Sequence, residues 1–174
     1  MPTIVIPFRG QDAKQRLPEE LRAELAQAML ADVLAAAEEV GRAVVAEGRG
    51  QGASVEAALA DVQESPVLVV NADLPAATPR DLLALLGSIP PDGIAVVAAA
   101  DGTTNALGLA APGVFEPVYG PGSAERFLAL GPSRLAEIPN LAEDVDTLDD
   151  LEPVEARLGP RTRAALDVLR AAAR

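Results

Sequence analysis

Three aspartates open the chemical reading of this chain. Asp73 follows a run of four apolar residues in "VLVVNADLP", residues 67–75, just before the chain turns at Pro75. Asp144 and Asp146 stand two apart in "EDVDTLDD", residues 143–150. If that segment is extended, both carboxylates point the same way while Val145 packs inward, because side chains alternate along extended backbone. Carboxylates converging from separate segments suit Mg²⁺, a hard cation that takes oxygen ligands and commonly shares them with substrate phosphates. The same residues have a plainer use: Asp146 or Thr147 caps the helix that follows, and Asp149 and Asp150 favour its N-terminal dipole.

Two further segments offer the opposite polarity. "PFRGQDAKQRLP" places Arg9, Gly10, Lys14 and Arg16 directly before a helix start, a setting suited to phosphate, or else a loop whose charges face water. Lys14 is the single lysine of the chain. "GRGQGASVEAAL" sets Gly50 and Gly52 before a helix expected from about Ala53 to Val62, either a close backbone approach to a ligand or an ordinary turn with Ser54 as helix cap. Thr103, Thr104 and Asn105 lead into a strand, while Gly120, Gly122 and Ser123 open a helix; both turns supply neutral donors fit for an anion. No Walker A loop is present.

Histidine and cysteine are both absent. That removes thiol catalysis, disulfides, thiolate metal sites and the commonest general base. The formal net charge of −12 argues against broad nucleic-acid binding. No apolar run approaches the ~18 residues of a membrane span, and Arg9, Gln11 and Asp12 break any signal-peptide shape. A cytoplasmic location is the expectation.

The elements that must position these residues alternate. Strands are expected at 3–8, 42–46, 66–70, 93–100, 106–111 and 134–139. Helices are expected at 18–40, about 53–62, 78–88 and 122–130, and from about Thr147 and Pro160. Thr78 is the expected N-cap of its helix and Pro79 its first residue. Alternation of this kind means βαβ units, a mostly parallel sheet and helices on both faces. The expectation is an α/β, three-layer αβα sandwich over residues 1–174 as one domain.

Taken together, "PFRGQDAKQRL", "GQGASVEAAL", "VLVVNADLP", "TTNALGL", "YGPGSAERF" and "LAEDVDTLDDL" resemble the guanylyltransferases that activate 2-phospho-L-lactate or phosphoenolpyruvate in biosynthesis of the deazaflavin coenzyme F-420. The resemblance runs nearly end to end, and "NADLP", "TNAL", "GPGS" and "DVDT" are its specific parts. It implies a nucleotide-diphospho-sugar transferase-like, Rossmann-like fold, GTP as donor and Mg²⁺ as cofactor. By the same resemblance Asp73, Asp144 and Asp146 look like the metal carboxylates. Thr104, Gly120 and Ser123 look like contacts to the phosphate of the three-carbon acid. Arg9, Lys14 and Arg16, with Gly10, look like the loop over the GTP phosphates, and Gly50, Gln51, Gly52 and Ser54 resemble the segment near base and ribose.

One departure stands out. The family usually carries a longer stretch between its second strand and the glycine segment, whereas "RAVVAEGRGQG" passes almost directly between them. This bears on selectivity for guanine. It also keeps open a catalytically silent nucleotide-binding or partner-binding relative, beside a nucleotidyltransferase with another acceptor, such as molybdopterin or a sugar phosphate. The alanine- and arginine-rich composition is similar to that of high-GC bacterial members, where phosphoenolpyruvate is the expected acid. A phosphate monoester is already a nucleophile at neutral pH, so the implied transfer needs no strong base and agrees with a chain lacking histidine.

Overall fold

The computed structural model describes residues 1–9 and 19–172, with side chains taken from residue 23 onward in the first helix. Gly10, Lys14 and Arg16 lie outside the described residues. Among the described residues, six strands form one sheet in the order β2-β1-β3-β5-β4-β6. They are β1 (Thr3–Phe8), β2 (Arg42–Glu47), β3 (Val67–Val70), β4 (Ile94–Ala98), β5 (Thr104–Leu109) and β6 (Ser133–Leu135). β1 pairs in parallel with β2 and β3, and β4 pairs in parallel with β6. Only β5 runs against its neighbours, β3 and β4. The five residues between β4 and β5 are too few for a parallel crossover, so these two strands form a hairpin.

Alternation along the strands assigns their side chains to two layers. Ile4, Ile6, Leu68, Val70, Ala95 and Val97 face one side. There they meet Leu30, Val33, Ala36 and Ala37 of α1 (Glu19–Val40) and Leu82 and Leu85 of α3 (Pro79–Ser88). Val5, Val67, Val69, Ile94, Val96, Leu107 and Leu109 face the other side, against α2 (Gln51–Ala60) and α4 (Ser123–Leu128). The result is the expected αβα sandwich. A third apolar cluster lies beyond the sheet, where Leu25 and Met29 of α1 meet Ala76, Val145 and Leu166 of α7 (Pro160–Ala172). No described helix is long and apolar enough to cross a membrane.

Thr78 and Asp81 close a reciprocal capping box at the start of α3, as Thr78 and Pro79 predict. Other boundaries differ. α2 begins at Gln51 rather than Ala53, because Gly50 adopts a φ of +89° at the N-cap and releases the chain into the helix. Ser54 therefore lies inside the helix, where its hydroxyl donates to the Gly50 carbonyl at 2.9 Å instead of capping. β5 begins at Thr104, two residues before the expected start, so Thr104 and Asn105 are buried strand residues. The expected strand at 134–139 is confined to β6, and its end becomes the short α5 (Pro139–Ala142). The helix expected from Thr147 starts instead as α6 (Leu151–Val154).

Candidate active site

The reversal of β5 decides what meets at the site. A parallel strand delivers its C-terminal end to the ligand-binding rim of an α/β sheet. An antiparallel one delivers its start. Val70, the last residue of β3, pairs with Ala106, and just beyond, the Asn71 amide donates to the Asn105 carbonyl at 3.0 Å. Thr104 and Asn105 thus stand beside Asn71 and Asp73 at one edge of the sheet.

A cavity of about 610 Å³ opens there. Asp73, Asp144 and Asp146 form one group on its wall, each offering a carboxylate oxygen within 4.8 Å of the others'. Two backbone features create this convergence. The Val145 amide donates to the Asp73 carbonyl at 3.0 Å, and the fully buried Val145 side chain fixes the segment to the α1–α7 cluster. With Val145 inward, Asp144 and Asp146 face the cavity as alternation requires. The capping expectation for Asp146 and Thr147 is corrected: the acceptor is Asp150. Its Oδ2 receives the Asp146 amide at 3.0 Å, the Thr147 amide at 2.7 Å and the Thr147 hydroxyl at 2.9 Å.

From sequence, Asn105 is only part of a donor turn and Asn71 has no role. The buried Asn105 donates through Nδ2 to Asp144 Oδ1 at 3.1 Å, which fixes the plane of that carboxylate. Asn71 donates to the Thr104 carbonyl at 3.2 Å and accepts from Gln51 Nε2 at 2.6 Å. Because a carbonyl can only accept, this chain of bonds sets both amide orientations. The signal in the sequence was the presence of both asparagines inside the quoted "NADLP" and "TTNALGL".

Thr104 Oγ1 and Ser123 Oγ lie 2.9 Å apart, both buried. They line the cavity with Gly120 and Tyr119. Burial pushes the Tyr119 hydroxyl far above its ordinary pKa, so it stays protonated. Asp101, on the rim, is held below the usual carboxylate range by the Thr103 hydroxyl and amide that bond to it. Arg9, Gln51 and Gly52 also line the cavity. Gly52 has a packing reason as well, since a Cβ there would meet Pro117 at 2.8 Å. Gly50 and Ser54 are not among the described lining residues; they shape the start of α2.

Five carboxylates (Glu56, Asp73, Asp101, Asp144, Asp146) and one guanidinium, Arg9, line the cavity among the described residues. A wall this acidic repels phosphate unless a cation intervenes. Three convergent carboxylates, one of them (Asp144) held by an amide donor, are a donor set suited to a hard divalent ion.

The six-stranded sheet with helices on both faces gives the described chain an α/β fold, with a carboxylate cluster at the rim. A solved structure from Desulfovibrio desulfuricans, named a putative nucleotide-diphospho-sugar transferase, shares this fold with a TM-score of 0.67 at 15% identity, covering 98% of this chain and 95% of the other. No family model matches the chain. Two curated relatives carry it further. The phosphoenolpyruvate guanylyltransferase of Streptomyces scabiei is 40% identical over 130 residues, 68% of this chain and 60% of that protein. The one of Nocardia farcinica is 36% identical over 196 residues, 91% of this chain and 87% of that protein. The chain belongs to the phosphoenolpyruvate guanylyltransferase family. The second match is longer than the 174 residues of this chain, so that relative carries stretches this one lacks.

Proposed function

We propose that this protein transfers the guanylyl group of GTP to the phosphate of phosphoenolpyruvate and releases pyrophosphate, as a step toward coenzyme F-420. The observation that carries the reading is the cavity itself, lined both by three convergent carboxylates and by the Thr104–Ser123 hydroxyl pair. A small phosphorylated acid fits between neutral donors and a cation, and family membership supplies the donor nucleotide.

In this reading Asp73, Asp144 and Asp146 hold Mg²⁺. Bound there, a divalent ion would neutralise phosphate charge that the acidic wall otherwise repels. Thr104, Gly120 and Ser123 receive the acid and orient its phosphate. Arg9 of the cavity lining, with Gly10, Lys14 and Arg16 that follow it in the sequence, binds the triphosphate; Gly50, Gln51, Gly52 and Ser54 form the nucleoside side. A phosphate oxygen of the acid attacks the α-phosphorus of GTP. The new P–O bond forms as the bond from that phosphorus to the bridging oxygen breaks, and pyrophosphate departs with the electron pair. The attacking oxygen is already anionic, so no side chain needs to remove a proton. The residues act by positioning and by balancing charge. A chain without cysteine that consumes GTP fits the cytoplasm.

The test is pyrophosphate release from GTP with phosphoenolpyruvate and Mg²⁺, in the native protein and in Asp144→Asn. Turnover that depends on the acid and is lost in the variant supports the reading; acid-independent or variant-insensitive release refutes it.

A further inference from the structure

The turn that carries Tyr119, Gly120 and Ser123 is held from behind by one side chain. Arg126, on the solvent side of α4, directs its guanidinium at three carbonyls of the turn. Its Nε donates to Val118 at 3.1 Å, one terminal nitrogen to Tyr119 at 3.1 Å and the other to Pro121 at 2.6 Å. Arg126 is exposed and is absent from the cavity lining, whereas Tyr119, Gly120 and Ser123 are part of it.

The turn needs such support. Gly120 and Gly122 have φ values of +114° and +69°, which leaves a backbone of glycines with many alternative conformations. Inside the turn, the bond from the Ser123 amide to the Gly120 carbonyl at 3.0 Å is local. The next residue of α4, Phe127, is fully buried and meets the Tyr119 ring edge-on at a centroid distance of 5.0 Å. α4 therefore fixes the turn twice, through a ring under Tyr119 and a planar fork across the carbonyls. Lysine cannot copy the fork, since its ammonium is a point donor on a flexible stem.

We propose that Arg126 is a positioning residue for the acid site: it sets the Gly120–Ser123 turn in the conformation that receives the phosphorylated acid, without touching that acid. The proposal rests on the assignment of Thr104, Gly120 and Ser123 to the acid. It separates the acid from the nucleotide, because the clamp acts only on the 118–123 segment, while Gln51 and Gly52 belong to α2.

The experiment compares native protein, Arg126→Lys and Arg126→Ala in steady-state kinetics with each substrate varied in turn, with thermal unfolding to confirm folding. The KM for phosphoenolpyruvate should rise by roughly tenfold or more in both variants, the scale on which ångström misplacements act, while the KM for GTP stays unchanged. Added methylguanidinium should lower the raised KM in Arg126→Ala toward the native value. An unaltered KM for the acid in Arg126→Ala, or equal rises for acid and GTP, overturns the clamp while native turnover stands. Native protein inactive with every phosphorylated three-carbon acid overturns the site assignment and the clamp together.

Discussion

The Val145 amide donates to the Asp73 carbonyl at 3.0 Å, joining two segments that lie some 70 residues apart in the chain. One bond between backbones, with Val145 buried behind it, sets three carboxylates around one point. This explains why a buried strand is followed by an aspartate: β3 ends at Val70, and the next residues carry Asp73 to the rim. Asp73→Asn should therefore weaken Mn²⁺ or Mg²⁺ binding by more than the ~10–100-fold typical of losing an outer partner. Calorimetric titration of the ion into native and variant protein measures this. Equal affinities would remove Asp73 from the ion's ligands.

Asn105 offers a finer test of the same group. Its amide holds Asp144 Oδ1 at 3.1 Å from a buried position on β5. Asn105→Ala should reduce divalent-ion affinity about 10–100-fold, the cost of an outer-shell partner, with all three carboxylates still present. Titration of Mn²⁺ followed by its electron paramagnetic resonance signal reads this without any turnover.

The fold was legible because apolar strand runs and amphipathic helices state their own period, and the common direction of Asp144 and Asp146 was legible because they flank Val145 and obey simple alternation. What escaped were relationships made in three dimensions. Nothing local in "TTNALGL" announces that β5 runs backward, yet that reversal brings Thr104 and Asn105 to the rim. The start of α2 was placed two residues late because Gly50, Gln51 and Gly52 read as loop, while only one of them, Gly50, carries the special backbone angle at the cap. Arg126 carries no local signal in the sequence, and its three carbonyl partners become visible only when the turn folds back over it.

Asp32 was another such case, a buried aspartate in the middle of α1. It accepts the Arg161 amide at 3.1 Å, the Thr162 amide at 2.8 Å and the Thr162 hydroxyl at 2.7 Å, capping α7 from another helix. Gly159 leaves room for it, as a Cβ there would stand 2.5 Å from Asp32 Oδ2. Asp32→Ala should cost ~2–3 kcal/mol, combining a lost helix cap with buried donors left unpaired. Urea unfolding measures the loss; a change within ~0.5 kcal/mol, the range for neutral surface substitutions, would contradict the cap.

Lys14 is the one lysine of the chain, and its proposed role rests on its place in the sequence between β1 and α1. If it balances charge on the triphosphate, Lys14→Ala should lower turnover by roughly 10² or more, as for loss of one key electrostatic donor, with an unchanged unfolding midpoint. Normal turnover would make it a solvated loop residue.

The central claim concerns what is joined to what. Native protein is incubated with GTP and Mg²⁺ and, separately, phosphoenolpyruvate, 2-phospho-L-lactate or 3-phosphoglycerate. Pyrophosphate release is followed as kcat/KM and each product is weighed by mass spectrometry. The account predicts a product of GMP joined to phosphoenolpyruvate, formed with the highest kcat/KM. It allows some turnover of 2-phospho-L-lactate, because so small a difference in shape is worth only ~1–3 kcal/mol in a pocket. A clear preference for 2-phospho-L-lactate would contradict the choice of acid, and absence of any guanylylated product with all three acids would contradict the account as a whole.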